Sequence, residues 1–325
     1  MEIRQQKKVR FDRAAVEREV ASHNRLDAGE SAFFARQLEQ IAAKTYDIKY
    51  AELKSLKFLP VDTSINPGVE AYTYRQFELF GVAKIVADYA KDFPNANVNG
   101  KEFTSKIKSL GAGYGYSIQE IRAAAFAQMP LDQAKANAAR RAIMQGHDNI
   151  ARDGDSTNGL TGFLGLSNTT SFVVPNGAAG TATWATKTPD EIVADLNGIP
   201  NGIVSSTKEI EVPDTILLPI AQYTYIASRR MGDGDSTTIL KHFLMSNPYI
   251  KTVESWYALT GAGSGGADRM VCYRKDPDAV RYLAPVVFES FPPELEGMQY
   301  SVACHGRSGG VVCPYPLSVS YGDGI

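Results

Sequence analysis

The spacing of hydrophobic residues changes period along the chain, and each change marks a different kind of element. From Gly29 to Lys44, Phe33, Phe34, Leu38, Ile41 and Ala42 recur at helical spacing and predict an amphipathic helix in need of a partner. Ahead of it, Met1 to Arg25 interleaves Arg4, Lys7, Lys8, Arg10, Arg13 and Arg18 with Asp12, Glu17 and Glu19. That pattern suits a solvated arm, or one that orders across a neighbour. Tyr46 to Leu59 reads as a short helix or strand, and VDTSINPG, Val61 to Gly68, as a turn-rich connector. The period then drops to two: Val69, Ala71, Thr73 and Arg75 alternate with Glu70, Tyr72, Tyr74 and Gln76, an extended strand carrying aromatics. Phe80 to Tyr89 continues it. Ala90 to Gly100, with Pro94, Asn95, Asn97 and Asn99, has the composition of a loop tip. Phe103, Ser105, Ile107 and Ser109 alternate back into the glycine-rich GAGYGYS. An isolated two-stranded excursion is marginal in water, so it must lean on its own body or on another copy.

The helical period returns at Ser117. Ser117 with Glu120 forms a capping box, so a helix starts at Ile118 and ends near Gln128, ahead of Pro130. Pro130 serves the first turn of a second helix, Leu131 to Arg152, rich in Ala and long-chain residues. Its apolar positions Leu131, Ala134, Ala138, Ala142, Ile143 and Ile150 predict a narrow buried stripe. Lys135, Asn137, Arg140, Arg141, Gln145 and Asp148 mark the polar back. Such a helix reads as a strut. Asp153-Gly154-Asp155 stops it, and a glycine-rich loop leads to Leu160, Gly162, Phe163 and Leu164.

Beyond Gly165 the elements shorten. Ser167 to Thr186 is small and polar, a hairpin or linker. Thr188-Pro189-Asp190-Glu191 is another capping box with Pro at the first helical position, predicting a helix to about Ser205. Short strands are expected at Thr215–Leu218, Ile250–Leu259 and Met270–Tyr273, and helices at Ile220–Met231 and Thr237–Ser246, together a compact α+β unit. Val280 to Tyr321 is again strand-rich and is expected to rejoin the body that holds the strut.

Composition narrows the functional classes. At 325 residues, 44% hydrophobic and 22% charged, this is an ordinary folded chain. A net charge of −2 argues against a protein whose main task is gripping nucleic acid, though not against one that encloses it. Cys272, Cys304 and Cys313 form no CxxC pair and, with four scattered histidines, no metal-ligand spacing; a reducing cytoplasm suits them. Cys304 and His305 point to opposite faces of any strand. No apolar run reaches the ~20 residues that a bilayer requires. Gly261 to Gly266 satisfies GxGxxG, but the residues after it read as a strand, so the loop is expected to be a hairpin tip and not a dinucleotide site. Asp153 to Gly159 resembles the start of a calcium loop, yet Leu164 stands where the bidentate Glu belongs; Asp233-Gly234-Asp235 fails the same test. His147, His242, Arg140-Arg141 and Arg229-Arg230 read as surface or locally paired groups. No catalytic, cofactor-binding or metal-binding residue is assigned, and no enzyme activity is expected.

The order of elements, and above all SIQEIRAAAFAQMPLDQAKANAARRAIMQGHDNIARDGDSTNGLTGFLG from Ser117 to Gly165, resembles the major capsid protein of tailed double-stranded DNA bacteriophages. The resemblance implies an α+β Hong Kong 97-type capsid fold. Its parts would be an N-terminal arm (1–65), an extended β-hairpin E-loop (66–115), a P-domain with a long spine helix (116–187), an A-domain (188–280) and C-terminal strands returning to the P-domain (281–325). It implies a protein that self-assembles into pentamers and hexamers forming the icosahedral head around phage DNA. Portal, scaffolding and decoration proteins are the further partners, the virion is the location, and assembly takes place in the host cytoplasm. The short arm implies a separate scaffold or none. Some relatives crosslink through Lys and Asn, but no motif assigns that role to Lys84, Lys91 or Lys101. Two alternatives remain: an encapsulin-like nanocompartment shell, and a small-molecule enzyme using the α+β unit as its pocket.

Overall fold

Two capping boxes fix the helices that organise the chain, as the sequence predicts. Ser117 Oγ accepts the Glu120 amide at 3.1 Å, and Glu120 accepts the Ser117 amide at 3.0 Å. Thr188 and Glu191 exchange the same pair of bonds at 3.4 and 2.8 Å. In this computed structural model the described residues are 51–85, 95–127, 131–232, 234 and 236–325. Glu52–Ile325 forms one compact unit. The arm and amphipathic helix expected before Tyr50, residues 86–94 with Lys91, Pro130, and Asp233 and Asp235 lie outside the described residues.

Helices run over Ile118–Ala127 and Leu131–Arg152, the latter 22 residues long. The buried face of the long helix departs from the expected stripe in its alanines, while Ile143 and Ile150 are buried as expected. Ala139, Ile143, His147, Ile150 and Ala151 are buried, whereas Ala134, Ala138 and Ala142 are exposed. Ala139 and Ala151 flank the two isoleucines in the core in place of Ala134, Ala138 and Ala142, and the isoleucines remove more apolar surface from water than alanines can. Asp148, expected on the polar back, is buried as well. Its carboxylate accepts the Ser55 amide at 2.9 Å and so satisfies an orphan donor of the short helix Ser55–Phe58.

This helix packs on a sheet whose spine is Gln299–Ser308. The glycine-rich strand Lys108–Ser117 pairs antiparallel along its whole length, from Lys108 opposite Ser308 to Ser117 opposite Gln299. Val286–Ser290 and Glu294–Glu296 complete it. Ala139 and Ile143 meet Val302 and Cys304 there. Gly306 permits the close approach: a Cβ at that position would lie 2.9 Å from both His147 Nε2 and Ile143 Cγ2.

A five-stranded sheet forms the other half, in the order Thr170–Val173, Val319–Asp323, Arg269–Tyr273, Thr215–Leu218, Thr252–Ser255. Its central strands are apolar on both faces because each face lines a different core. Ile216, Leu218, Met270 and Cys272 pack with the helix Pro189–Ser206; Leu217, Val271 and Tyr273 pack with Ile150, Phe163 and Trp256 beside the long helix. One expectation is corrected here. Residues 167–186 are neither hairpin nor linker, since Thr170–Val173 forms the sheet's edge. Gln299–Ser308 joins the long helix's sheet, and the last strand, Val319–Asp323, lies second in this one, with Val319 in the core that Ile150 and Ala151 of the long helix also line. Helices at Ile220–Ser228 and Ile239–Ser246 and the strand Thr252–Ser255 are shorter than the sequence suggests. Cys272, Cys304 and Cys313 are free and buried. Among the described residues no helix is long and apolar enough to cross a membrane.

Candidate assembly surface

At Ala71–Phe80 and Asn97–Lys106 the chain leaves both cores. Among the described residues, Ala71–Phe80 and Asn97–Lys106 pair only with each other, from Ala71 opposite Lys106 to Phe80 opposite Asn97. The first strand ends at Phe80 and does not continue through residues 81–85; the second begins at Asn97, inside the expected loop tip. Since side chains alternate across a strand, the ribbon has two distinct faces.

The inner face is aromatic at the root. Tyr74 stacks on Phe103 at 5.3 Å, and the Arg281 guanidinium lies 5.4 Å over the Tyr72 ring while donating to its hydroxyl. The Gln76 amide donates to the Pro314 carbonyl, and Ser105 Oγ donates to the Gly309 carbonyl at 2.8 Å. Between ribbon and wall lies a cleft of about 1080 Å³, lined by Tyr74, Gln76 and Lys101 on one side and Glu211, Arg274 and Arg281 on the other. Burial pushes the Glu211 carboxyl up, and Arg274 at 2.9 Å pulls it back only in part.

The outer face grades from polar to apolar. Near the root the Thr73 and Thr104 hydroxyls meet at 2.9 Å and Arg75 pairs with Glu102 at 2.6 Å. Further out stand Phe77, Leu79 and Val98, 67%, 78% and 58% exposed. The Phe77 ring lies across Gly100, where a Cβ would meet it at 3.2 Å. Each such side chain would gain about 1.5–3 kcal/mol on full burial, and nothing among the described residues buries them. Sequence reasoning stopped the alternation at Gln76; carried on to Phe77 and Leu79, the same period marks this face.

The chemical motifs resolve into structural turns. The Gly261–Gly266 loop leads into the strand Arg269–Tyr273 but is not a hairpin tip. It crosses from Thr252–Ser255 over Thr215–Leu218 to reach that strand. Its amides are engaged by carboxylates, Gly261 N by Asp268 at 2.9 Å and Ser264 N by Asp323 at 3.0 Å, where a phosphate would need them free. Asp323 is held below the usual carboxylate range chiefly by its bond from Arg269. Asp155 accepts from the amides of Thr157 and Asn158 and from the Asn158 side chain, closing its own turn. His147 is buried and bonds Tyr282 Oη at 2.8 Å, and Tyr282 in turn meets Ser308 Oγ at 2.7 Å. His242 is half-buried on its helix. Cys304 faces the long helix, and His305 turns to the other face, 3.9 Å from Glu289. Arg140 lies over the Phe288 ring, and Arg229 over Tyr225 while donating to the Lys187 carbonyl. Lys84 and Lys101 are exposed on the hairpin. Among the described residues no group of three or more His, Cys, Asp or Glu is placed to hold a metal.

No curated protein matches the chain. Solved structures with the same fold include the capsid of Myoviridae phage XM1, at 16% identity and a TM-score of 0.75 over 90% of this chain and 98% of that one. The capsid of a native GTA particle matches at 11% identity and a TM-score of 0.61, covering 92% and 99%. A structure from Mycobacterium phage Bobi matches at 13% and 0.59, covering 92% and 99%. At such identities the likeness establishes the fold, which is the Hong Kong 97 type. Residues 81–325 match the family model described as the major capsid protein, which spans the second ribbon strand and both cores and favours a phage capsid over a nanocompartment shell. A mixed α+β body of that fold, matched by that model over most of its length, belongs to the major capsid protein family of tailed phages.

Proposed function

We propose that this chain assembles into pentamers and hexamers that close into an icosahedral head around double-stranded phage DNA, built in the host cytoplasm. In this reading the arm is 1–65, the E-loop 66–115, the P-domain 116–187, the A-domain 188–280 and the closing strands 281–325. Portal, scaffolding and decoration proteins are its further partners. The near-neutral charge supports a container, since a strongly basic wall would immobilise the packaged DNA on phosphate contacts.

The observation that carries the reading is the distal third of the ribbon. Phe77, Leu79 and Val98 form an apolar face on a two-stranded element that no other strand among the described residues supports. Such an element gains its stability from a neighbour, and copies of the same chain supply one with closed symmetry. The test is the double variant Leu79→Lys/Val98→Lys, followed by size-exclusion chromatography and electron microscopy. The expected result is a folded chain with unchanged circular dichroism and no capsomers or shells. Particles like those of the unmodified chain would overturn the reading.

A further inference from the structure

Asparagine followed by glycine is open to attack by its own backbone, because glycine puts no Cβ beside the amide nitrogen that closes on the side chain. The pair occurs at 99–100, 158–159, 176–177, 197–198 and 201–202, and the fold treats these copies differently. Attack needs an asparagine side chain that can turn and a backbone that can bend into a five-membered ring. Hydrogen bonds to the side chain deny the first, and helix or ladder denies the second.

Asn197 and Asn201 lie inside the helix Pro189–Ser206, where each following amide is committed to a carbonyl one turn back. Asn197 is held twice more, since its Nδ2 donates to the Val193 carbonyl at 2.9 Å and its Oδ1 accepts from Asn247 at 2.7 Å. Asn99 belongs to a ribbon strand, and the Phe77 ring covers Gly100. Asn158 donates to Asp155 at 2.6 Å, within the turn that Asp155 closes. Asn176 differs from all of these. It is exposed on the rim that runs from the edge strand to the helix, residues 167–186, in a part that is neither helix nor strand. Its side chain makes no hydrogen bond among the described residues. The Gly177 amide donates to the Thr181 carbonyl at 2.9 Å, a bond that closes a surface turn and can open without disturbing a core.

We propose that Asn176 is a site of spontaneous deamidation, a one-way modification that loosens the attachment of this rim to the helix behind it. The Gly177 nitrogen bonds to the side-chain carbonyl carbon of Asn176 and ammonia leaves, which gives a cyclic imide. Water then opens the imide at either carbonyl, to aspartate or to isoaspartate, whose main chain runs through the former side chain. The sum is an amide plus water going to an acid plus ammonia, with no oxidant or reductant. The inference stands whether or not the chain forms a shell, and the fraction converted records the age of a subunit.

The attachment lies on both sides of the reacting atoms. The Pro175 carbonyl accepts from the buried Lys187 Nζ at 2.6 Å, and the Ala178 amide donates to Glu191 at 2.7 Å. Residues 176 and 177 are the whole span between those anchors, so the methylene that isoaspartate adds to the main chain displaces one of them. The new carboxylate also arises next to Gly177, where a Cβ would lie 2.9 Å from Glu191 Oε2, and neighbouring like charges repel. Glu191 is the carboxylate of the capping box and accepts the Thr188 amide at 2.8 Å, so the modification works against the bond that starts the helix.

The test is peptide mapping by mass spectrometry of the full chain, aged for weeks at mildly alkaline pH and body temperature in oxygen-labelled water, with isoaspartate read by enzymatic methylation. The peptide holding residue 176 should convert first, with uptake of solvent oxygen, while those holding 197 and 201 stay as amides. The same chain unfolded in urea should convert at every pair. Conversion at 99 or 158 as fast as at 176, or none at 176 in a folded chain whose unfolded form converts, overturns the proposal. The aged chain should melt about 2 °C lower, the size of a weakened helix cap. Asn176→Gln, one methylene too long to close the ring readily, should neither convert nor lose stability on the same ageing. A fully converted chain with an unchanged melting temperature, or an equal loss in Asn176→Gln, would overturn the link to the helix.

Discussion

The ribbon and the five-stranded sheet are made of similar residues and do opposite things with them. In the sheet, Ile216, Leu217, Leu218, Met270, Val271 and Cys272 are fully buried, alternate ones entering different cores. In the ribbon, Phe77, Leu79 and Val98 alternate with equal regularity, and their face meets water. Period alone therefore does not say whether an apolar face is for folding or for association. What separates the two is whether another element of the same chain lies opposite. The sheet has a helix on one face and the long helix's end on the other, and the ribbon has a wall only at its root. Stability and assembly should accordingly be carried by different residues, and each can be disturbed without the other.

The largest effect should come from the sheet's side of that comparison. Lys187 and Asp195 form an ion pair 2.5 Å apart with both side chains 1% exposed. Trp184 Nε1 donates to the same carboxylate at 2.9 Å, and Lys187 Nζ also donates to the Pro175 carbonyl at 2.6 Å. Burial pushes the Asp195 carboxyl up, against the pull of Lys187 and Trp184. Lys187→Ala leaves that acid buried beside a single neutral donor and should cost about 3–5 kcal/mol in urea unfolding, the usual loss when one member of a buried pair is removed. A loss below about 1 kcal/mol would mean that water reaches Asp195 freely. Because Lys187 also ties the chain just after the edge strand, the same variant should loosen the rim 167–186, read as faster amide exchange at Ser171 to Val174.

A smaller effect is expected under the long helix. Burial holds the His147 imidazole below its usual value, with a lesser opposing pull from the Val287 carbonyl. Its Nδ1 meets Tyr282 Oη, and burial likewise raises the Tyr282 phenol, so that group stays neutral throughout the acid range. For a base with a depressed folded pKa the unfolded chain binds the proton more readily. The stability due to neutral His147 is then complete above the unfolded value, about 6.5, and is lost as pH falls below it toward the folded value. The expected outcome is an unfolding free energy that declines from about pH 6.5 downward, and a shallower decline in His147→Gln. Identical acid profiles for the two proteins would show that another group is responsible.

How much of this was legible in the sequence follows from the distance over which each feature is specified. Both capping boxes are read correctly because Ser117 with Glu120, and Thr188 with Glu191, carry the whole signal within four residues. The extent of the long helix is equally local. Its buried face is not, since alanine at 134, 138 and 142 fits either side, and Asp148 is drawn inward by Ser55, 93 positions away. The TSFV strand is short and half polar, and it becomes a strand because Val319–Asp323, far down the chain, lies beside it. The ribbon is legible as a hairpin from its alternation. Its apolar outer face is missed because the pattern is read only to Gln76. The family is legible from Ser117 to Gly165, the one stretch where residue types and element order agree at motif length.

The smallest expected change is the one that sharpens the comparison most. Leu79→Lys in the unassembled chain should alter stability by no more than about 0.5 kcal/mol, as exposed substitutions away from buried partners do. Leu79 is 78% exposed and stands opposite Val98, so the change removes one cross-strand apolar contact and no core packing. The ribbon's attachment is made elsewhere, by Tyr72 with Arg281, Gln76 with Pro314 and Ser105 with Gly309, and those bonds are untouched. Thermal unfolding of the monomer, followed by circular dichroism at low protein concentration, measures this directly. A fall of several degrees would place Leu79 in the chain's own core and erase the division between the two regions. An unchanged melting temperature, together with lost assembly, would make the ribbon's apolar face a property of the shell and not of the subunit.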